Sequence, residues 1–218
     1  NNDGHEAALS RLLQRQSKGG IVGVNIGANK DSEDFVSDYE TGIECFYKTA
    51  SYFTANISSP NTPGLRNLQA GDALKVLADR IFEKEAECAK KYGRKIPIFL
   101  KIAPDLNESE MDEIAGVVNV SQFSALIVSN TTLDRDGLND KKQAAEAGGL
   151  SGKPLFEKST IALAKMRERI NKDIPLIGVG GIFSANDVVS KIEAGASLVQ
   201  IYTGLIYGGP CLPSSIIK

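Results

Sequence analysis

The sequence has few of the residues from which several common kinds of site are built. It contains a single histidine, His5, near its start. One histidine argues against a serine–histidine triad and against a histidine-rich metal site. The three cysteines, Cys45, Cys88 and Cys211, are odd in number and do not have the spacing of metal ligands. We therefore predict no disulfide framework, no metal site and a reducing compartment.

The sequence also lacks an excess of basic residues and a long apolar run. Its 25 lysines and arginines against 27 aspartates and glutamates leave a net charge of -2, which provides no basic surface for nucleic acid or anionic lipid. No run approaches the roughly 18 apolar residues of a membrane-spanning helix. With 218 residues, 42% of them hydrophobic, the chain can bury a sizeable core. We predict one domain over residues 1–218 and no nucleic-acid partner.

Short apolar segments alternate with amphipathic segments along the chain. The apolar segments predict strands over 21–25, 51–56, 96–102, 124–130, 174–179 and 197–202. The amphipathic segments predict helices over 6–16, from about 32, over 72–91, from about 108, over 155–170 and from 184, where Ser184 and Asp187 form a capping box. The strands are apolar throughout instead of alternating. Such strands are buried on both faces, as a parallel sheet covered by helices requires.

Two α/β architectures fit this order, a doubly wound open sheet and a (β/α)8 TIM barrel. Nearly every predicted strand ends in a small or polar residue: Asn25, Asn56, Lys101, Asn130, Gly180, Gly181, Tyr202 and Thr203. In a barrel all strand ends converge on the face that carries the active site, whereas in a doubly wound sheet only those near the switch point meet. The pattern favours the barrel. Because six strands cannot close a barrel of eight, we expect it to be incomplete at both ends of this sequence.

The segment over 56–69 follows a predicted strand and is rich in serine, asparagine and proline. Pro60 and Pro63 withhold backbone donors and fix φ, so the segment cannot continue as a strand or helix. Its composition alone is that of a surface loop, but its place at a strand end favours a functional loop. Neither Ser58 nor Ser59 has a neighbouring base, so each is a poor hydrolytic nucleophile. Proton abstraction by either would need an onward path for the proton.

Lysine, glycine and asparagine residues supply the remaining candidate ligands. Lys101 lies in an apolar strand, where an ammonium either reaches solvent at the strand end or faces an anionic or electron-rich ligand. Glycine clusters over 148–152 and 178–181 precede helices, and such glycines serve either as turns or as a cradle for phosphate. The carboxamides of Asn25, Asn56, Asn61 and Asn130 suit a flat, amide-bearing ligand such as a flavin or a pyrimidine.

Six blocks of the sequence, in order, resemble dihydroorotate dehydrogenases. The blocks are 56–66, 101–105, 129–132, 148–154, 178–181 and 195–203, within a resemblance that runs from about residue 20 to residue 209. The sequence resembles the class 2, membrane-associated, quinone-reducing branch. The soluble class 1 branch has a cysteine, its catalytic base, at the position of Ser59.

The resemblance implies oxidation of dihydroorotate to orotate in pyrimidine (UMP) biosynthesis, with FMN as cofactor and a quinone as electron acceptor. Ser59 would be the base that removes a proton from C5 while C6 passes hydride to N5 of FMN. Implied substrate ligands are Asn56, Asn61, Asn130 and Thr131. Implied FMN ligands are Asn25, Asn56, Lys101, Ser129, Ser151, Gly152, Gly180, Gly181, Tyr202 and Thr203.

The resemblance also implies segments outside this sequence. In the family, a barrel strand and a helical pair that forms the quinone tunnel would precede residue 1, and a final helix would follow residue 218. The implied location is peripheral on the inner membrane, bacterial or mitochondrial, through that absent segment. Two alternatives stay open: a dihydropyrimidine-oxidising FMN barrel, and a catalytically silent barrel fragment that binds a phosphorylated ligand or a partner.

Overall fold

Six parallel strands form one sheet in the computed structural model, which describes residues 3–136, 138 and 141–217. The strands are β1 (Gly23–Ile26), β2 (Tyr52–Asn56), β3 (Ile98–Ile102), β4 (Ala125–Val128), β5 (Leu176–Val179) and β6 (Leu198–Gln200). Their order in the sheet is their order in the chain, and every neighbouring pair is parallel. This order lacks the reversal of a doubly wound sheet. It is the order of successive units of a β/α barrel. The sheet is curled, and the helices lie on its outside.

Helices connect the strands and lie at both ends of the described chain. They are α1 (His5–Arg15), α2 (Phe35–Phe46), α3 (Gly71–Tyr92), α4 (Glu108–Val118), α5 (Lys141–Ala144), α6 (Phe156–Arg169), α7 (Ala185–Glu193), α8 (Thr203–Gly208) and α9 (Leu212–Ile217). Asp34 caps α2 by accepting from the backbone N–H groups of Val36 and Ser37. Capping boxes begin α4 at Asn107 and α7 at Ser184. The capping box predicted at Ser184 is confirmed.

The two faces of the sheet carry different residues because side chains alternate along a strand. One face packs against the helices through strand residues such as Phe53, Leu100 and Leu126, which join helix residues in the larger apolar cluster. The other face carries a smaller cluster of Ala125, Ile127 and Ile177, with Phe99 and Val179 against it. This second face is the inside of the curled sheet. The polar residues at the strand ends therefore lie next to an apolar cluster on the inner face of the sheet.

Two predictions about the elements are wrong. Strands buried on both faces are found in the middle of the sheet, where β4 is buried along its whole length, but not at its edges. Leu198 on β6 is 62% exposed, and β1 has one buried residue, Ile26. No helix was predicted in the stretch from 131 to 154, between the strand over 124–130 and the helix over 155–170, but this stretch contains the short helix α5. Part of that stretch, 137 and 139–140, lies outside the described residues.

Candidate active site

A cavity of about 250 Å³ lies at the carboxyl ends of β3, β4, β5 and β6. Its lining includes these ligands predicted from the sequence: Lys101, Ser129, Asn130, Thr131, Ser151, Gly152, Gly180, Gly181, Tyr202 and Thr203. It also includes residues that were not predicted: Leu155, Val179, Ile182, Gln200, Ile201 and Gly204. Most of the unpredicted residues adjoin a predicted ligand in the chain, which was the only signal that could have found them. The strand ends therefore converge as a barrel requires.

Glycine backbone forms one end of the cavity. Gly152, Gly180 and Gly181 have φ of +81°, +121° and +73°, which glycine adopts without strain. A Cβ on Gly180 would lie 2.6 Å from Ser159 Oγ, and one on Gly181 would lie 2.5 Å from the Cβ of Phe156. Side chains are therefore excluded at both positions, and the main chain itself forms the wall. A wall of this kind can bring backbone N–H groups close to a phosphate.

Two small hydroxyl groups join separate segments of the chain at the same end of the cavity. Thr203 Oγ1 donates to Ser151 Oγ over 3.1 Å, which ties the start of α8 to the segment that precedes α6. Tyr202 lines the cavity although its side chain is 78% exposed. We name the set Ser151, Gly152, Gly180, Gly181 and Thr203 the glycine cradle.

Lys101 places an unpaired positive charge in the cavity wall. It is the residue of β3 that pairs in register with Asn56 of β2 and with Ile127 of β4. Burial lowers the pKa of its ammonium, and in the described part of the chain it forms no hydrogen bond and no salt bridge. An ammonium without a protein partner in a partly desolvated wall is costly unless a ligand supplies negative charge.

Two asparagines from different strands form a hydrogen-bonded cluster with Ser58. Asn56 Oδ1 accepts from Ser58 Oγ over 2.9 Å and from Asn130 Nδ2 over 3.2 Å. Asn130 Nδ2 also lies 3.0 Å from Ser58 Oγ, and its Oδ1 accepts from the N–H of Thr131. The carboxamides at the ends of β2 and β4 therefore meet across the end of β3. Sequence reasoning predicted both asparagines but assigned no role to Ser58.

Ser59 and Asn61 lie beside this cluster, in the loop after β2, and are not among the residues that line the cavity. Ser59 Oγ accepts from the backbone N–H of Asn61 over 3.2 Å. Within the described residues no histidine, carboxylate or amine bonds to this hydroxyl. Asn25 is exposed on β1 and is likewise outside the cavity lining. The roles assigned to Ser59, Asn61 and Asn25 stay predictions.

The glycines over 148–152 are divided between two tasks. Gly152 belongs to the glycine cradle, whereas Gly148 and Gly149 lie against the loop after β2. A Cβ on Gly149 would overlap Thr131 Oγ1 and lie 3.0 Å from Pro60 Cγ. A Cβ on Gly148 would lie 3.4 Å from Asn61 Oδ1. Because these two glycines have no side chain, the segment that contains them can pack closely against the loop after β2.

An ionic network that sequence reasoning missed holds these loops together. The carboxylate of Asp105 accepts from Arg66 Nη1 at 3.0 Å, from the N–H of Leu133 at 3.0 Å and from Thr132 Oγ1. It also pairs with Lys158 Nζ at 2.8 Å. Burial alone would raise the pKa of Asp105, but these donors hold the pKa below its ordinary value of 3.8. Asp105 therefore stays ionised at neutral pH.

Arg66 connects this ionic network to the cluster of Asn56, Ser58 and Asn130. Its Nε donates to the carbonyl of Ser58 over 3.3 Å, and its Nη2 donates to the carbonyl of Thr131 over 3.2 Å. The available signal was that Arg66 and Asp105, of opposite charge, both fall within blocks of the family resemblance. Their separation of 39 residues hid the pairing.

Substitution of Asp105 with asparagine is expected to loosen the loops around Ser58 and Ser59. Arg66 and Lys158 lose an ionised acceptor, so the free energy of unfolding should fall by about 1–3 kcal/mol at pH 7. The pKa of Asp105 is lowered in the folded state, so its contribution is present at neutral pH and is lost as pH falls below 3.8. Denaturant unfolding of both proteins at pH 7 and at low pH measures this difference.

A matched control for this experiment is Asp112→Asn. Asp112 pairs with Arg169 between α4 and α6, but its side chain is 65% exposed. An exposed pair contributes little, so a loss below about 1 kcal/mol is expected. Equal losses in the two variants, or a gap between wild type and Asp105→Asn that does not narrow in acid, would contradict the role given to Asp105.

Membrane-spanning helices and clustered metal ligands are both absent from residues 3–136, 138 and 141–217. No helix there is both long and apolar enough to cross a membrane. No group of three or more histidine, cysteine, aspartate or glutamate side chains there is placed to hold a metal ion.

Comparisons with known proteins identify the family to which this cavity belongs. The family model for dihydroorotate dehydrogenase matches residues 1–218. Curated relatives named dihydroorotate dehydrogenase (quinone) are 62% identical in Allorhizobium ampelinum and 59% identical in Brucella ovis, each over all 218 residues. The chain covers 60% of the length of each of these relatives.

Solved structures agree in fold. The chain matches dihydroorotate dehydrogenase from Eimeria tenella in complex with ferulenol with a TM-score of 0.91 and 32% identity, over 99% of this chain and 63% of that one. It matches the ligand-free form with a TM-score of 0.90 and 34% identity, over 99% of this chain and 65% of that one. The barrel fold predicted from the sequence is confirmed. The chain belongs to the dihydroorotate dehydrogenase family.

Proposed function

We propose that the full-length protein oxidises dihydroorotate to orotate in pyrimidine biosynthesis, with FMN as hydride acceptor and a quinone as the final electron acceptor. The observation that carries this proposal is the cavity whose lining includes the glycine cradle, the unpaired ammonium of Lys101 and Asn130. Asn130 is in turn hydrogen-bonded to Asn56 and Ser58, which lie next to the cavity lining. The names of the curated relatives support the quinone as acceptor.

The residues present fit FMN. Glycine backbone that admits no side chain, together with the hydroxyls of Ser151 and Thr203, suits a phosphate group. Lys101 suits an electron-rich ring that gains negative charge on reduction. When bound, FMN supplies the acceptance of hydride, which protein side chains do not provide. The remaining proposed ligands are Asn25, Asn56, Ser129, Gly152, Gly180, Gly181 and Tyr202.

The asparagine cluster fits a pyrimidine ring. Dihydroorotate presents alternating N–H and C=O groups, and a carboxamide offers both a donor and an acceptor to such an edge. Asn56 and Asn130 are held side by side by Ser58, so their orientation is fixed before substrate binds. Asn61 and Thr131, which lie on the loops that pack against each other through Gly149, complete the proposed substrate site.

Ser59 is the proposed base for the proton on C5 of dihydroorotate. Its hydroxyl accepts one backbone N–H and has no protein acceptor among the described residues. The proton must therefore leave through water, since the side chain alone is a weak base. The loops joined by Arg66 and Asp105 hold Ser59 next to the asparagines that orient the substrate.

Quinone binding and membrane contact belong, in this proposal, to parts of the longer relatives that this chain does not cover. The relatives named as quinone-dependent are longer than this chain, which spans 60% of their length. Because the electron acceptor named for these relatives is a quinone, and such acceptors are lipid-soluble, we propose that the full-length protein lies peripherally on the inner membrane. The segment over 1–218 supplies the proposed FMN and dihydroorotate sites.

Steady-state turnover of the purified full-length protein tests this proposal. Oxidation of dihydroorotate with a quinone acceptor, and not with fumarate or a nicotinamide nucleotide, is the expected result. Faster oxidation of dihydrouracil than of dihydroorotate would favour the dihydropyrimidine-oxidising alternative. A protein that takes up no FMN and oxidises neither substrate would contradict the proposal and favour a catalytically silent barrel.

A further inference from the structure

A fully buried lysine lies behind the glycine cradle, outside the cavity. Lys191 is on α7, and its side chain has no solvent exposure. Its Nζ donates to Ser159 Oγ over 2.6 Å and to the carbonyl of Phe156 over 3.4 Å. The same ammonium lies 5.0 Å from the centre of the Phe156 ring. A lysine is rarely buried to this degree without a reason, because desolvating its charge is costly.

The contacts of Lys191 lead directly to the glycine cradle. Ser159 Oγ, which accepts from Lys191, lies 3.3 Å from the carbonyl of Gly180 and 3.0 Å from that of Phe156. Gly180 and Gly181 are the residues whose added side chains would collide with Ser159 and Phe156. Because the ammonium occupies the acceptor side of the Ser159 hydroxyl, that hydroxyl is free to donate to one of the two carbonyls. The position of the turn is thereby coupled to Lys191.

The charge of Lys191 has no countercharge in contact with it. Within the described residues it forms no salt bridge, and the facing groups on α6 are the neutral Ser159 and Phe156. Asp187, one turn earlier on α7, instead accepts from the backbone N–H groups of Phe183 and Ser184. Burial lowers the pKa of Lys191 to about 8, so most of it is protonated at neutral pH. The cradle therefore has a positive charge behind it.

We propose that Lys191 is a positioning residue of the phosphate site: its ammonium fixes Ser159 and the Gly180–Gly181 turn, and its charge favours a phosphate dianion in the cradle. This inference rests on the proposed binding of FMN. The ligand chemistry is that of a phosphate monoester, which carries close to two negative charges at neutral pH. A buried positive charge attracts such a group more strongly than an exposed one does, because solvent screens it less.

The test compares FMN with riboflavin, which has the same ring and no phosphate. Lys191→Met removes the ammonium and keeps an unbranched chain, and replacing a buried charge by an apolar residue is often tolerated. We expect the variant of the full-length apoprotein to bind FMN about tenfold more weakly, equivalent to roughly 1.4 kcal/mol. Its affinity for riboflavin should stay unchanged. Quenching of flavin fluorescence on titration measures both constants without turnover.

Two further variants complete the experiment. Lys165→Met makes the same charge change on the exposed face of α6, where Lys165 pairs with Glu108, and should leave both affinities unchanged. Ser159→Ala keeps the ammonium but removes its link to Gly180, and a selective loss of FMN affinity is expected here too. If Lys191→Met does not fold, Ser159→Ala tests the proposal alone. A loss of FMN affinity without a loss of riboflavin affinity would support it, and unchanged affinities would overturn it.

The outcomes separate this inference from the proposed function. Equal weakening of FMN and riboflavin, or no weakening of either, would overturn the role given to Lys191 and show only a packing role. Wild-type protein that prefers FMN over riboflavin while Lys191→Met keeps the same preference would overturn this inference alone. Wild-type protein that binds neither flavin would overturn the proposed function itself.

Discussion

Replacement of Ser59 with alanine in the full-length protein is expected to slow the reduction of bound FMN by dihydroorotate by about 10²–10⁴-fold, the usual contribution of a general base. FMN should remain bound, because Ser59 is not among the residues that line the cavity. Its hydroxyl is bonded to the N–H of Asn61 alone among the described residues, so its loss should leave the fold intact. Anaerobic mixing with dihydroorotate, followed by flavin absorbance, measures the rate constant.

Ser58→Ala is the matched control because the two serines are adjacent and chemically identical. Ser58 is fully buried and bonded to Asn56 and Asn130. Its loss should therefore weaken substrate binding, seen as a higher dihydroorotate concentration at half-maximal rate, more than it slows the saturated rate. If the saturated rate is unchanged in Ser59→Ala but falls strongly in Ser58→Ala, our proposal has assigned the base to the wrong serine.

Replacement of Lys101 with methionine is expected to slow flavin reduction at saturating dihydroorotate by about 10²–10³-fold, the usual cost of removing a preorganised charge from a site of developing charge. The midpoint potential of bound FMN should become more negative, since the reduced ring loses its facing cation. Stopped-flow reduction and an anaerobic redox titration measure the two quantities. Lys95→Met, at an exposed lysine beside Gln122, is the control and should change neither.

Although Lys101→Met should slow flavin reduction, it should not lower the free energy of unfolding. Burial lowers the pKa of Lys101 in the folded protein, so its protonated form opposes folding at neutral pH. The free energy of unfolding of the Lys101→Met apoprotein should therefore equal that of the wild type to within about 1 kcal/mol, or exceed it. A variant that is strongly destabilised and has an unchanged flavin potential would show that Lys101 serves packing instead of the flavin.

The barrel and the position of its site could be predicted because local patterns agree with the fold. Strands that are apolar throughout are typical of a parallel sheet that is buried on both faces, and polar residues at successive strand ends favour a barrel, in which those ends share one face. The edge strands escaped this reasoning. Leu198 on β6 reads as a core residue but is exposed, since the burial of a strand depends on neighbours that its own residues do not reveal.

The charged pairs around the site could not be predicted for a different reason. Arg66 and Asp105 meet because β2 and β3 are neighbours and because the loops after them bend toward each other. Lys191 lies in an amphipathic helix, α7, where a lysine is ordinarily read as solvent-exposed. Its burial follows from the close approach of Gly178 and Gly180 to α6 and α7. Such contacts depend on tertiary packing, which residue spacing does not encode.

The most direct measurement of the central claim is the spectrum of the purified full-length protein before and after anaerobic addition of dihydroorotate. We predict an absorption band at about 450 nm, where oxidised flavins absorb, which disappears as an equivalent amount of orotate forms. Later addition of a quinone should restore the band. A full-length protein that lacks this band after incubation with FMN, or whose band dihydroorotate does not bleach, would contradict the assignment of the cavity at Lys101 and Asn130 to FMN and dihydroorotate.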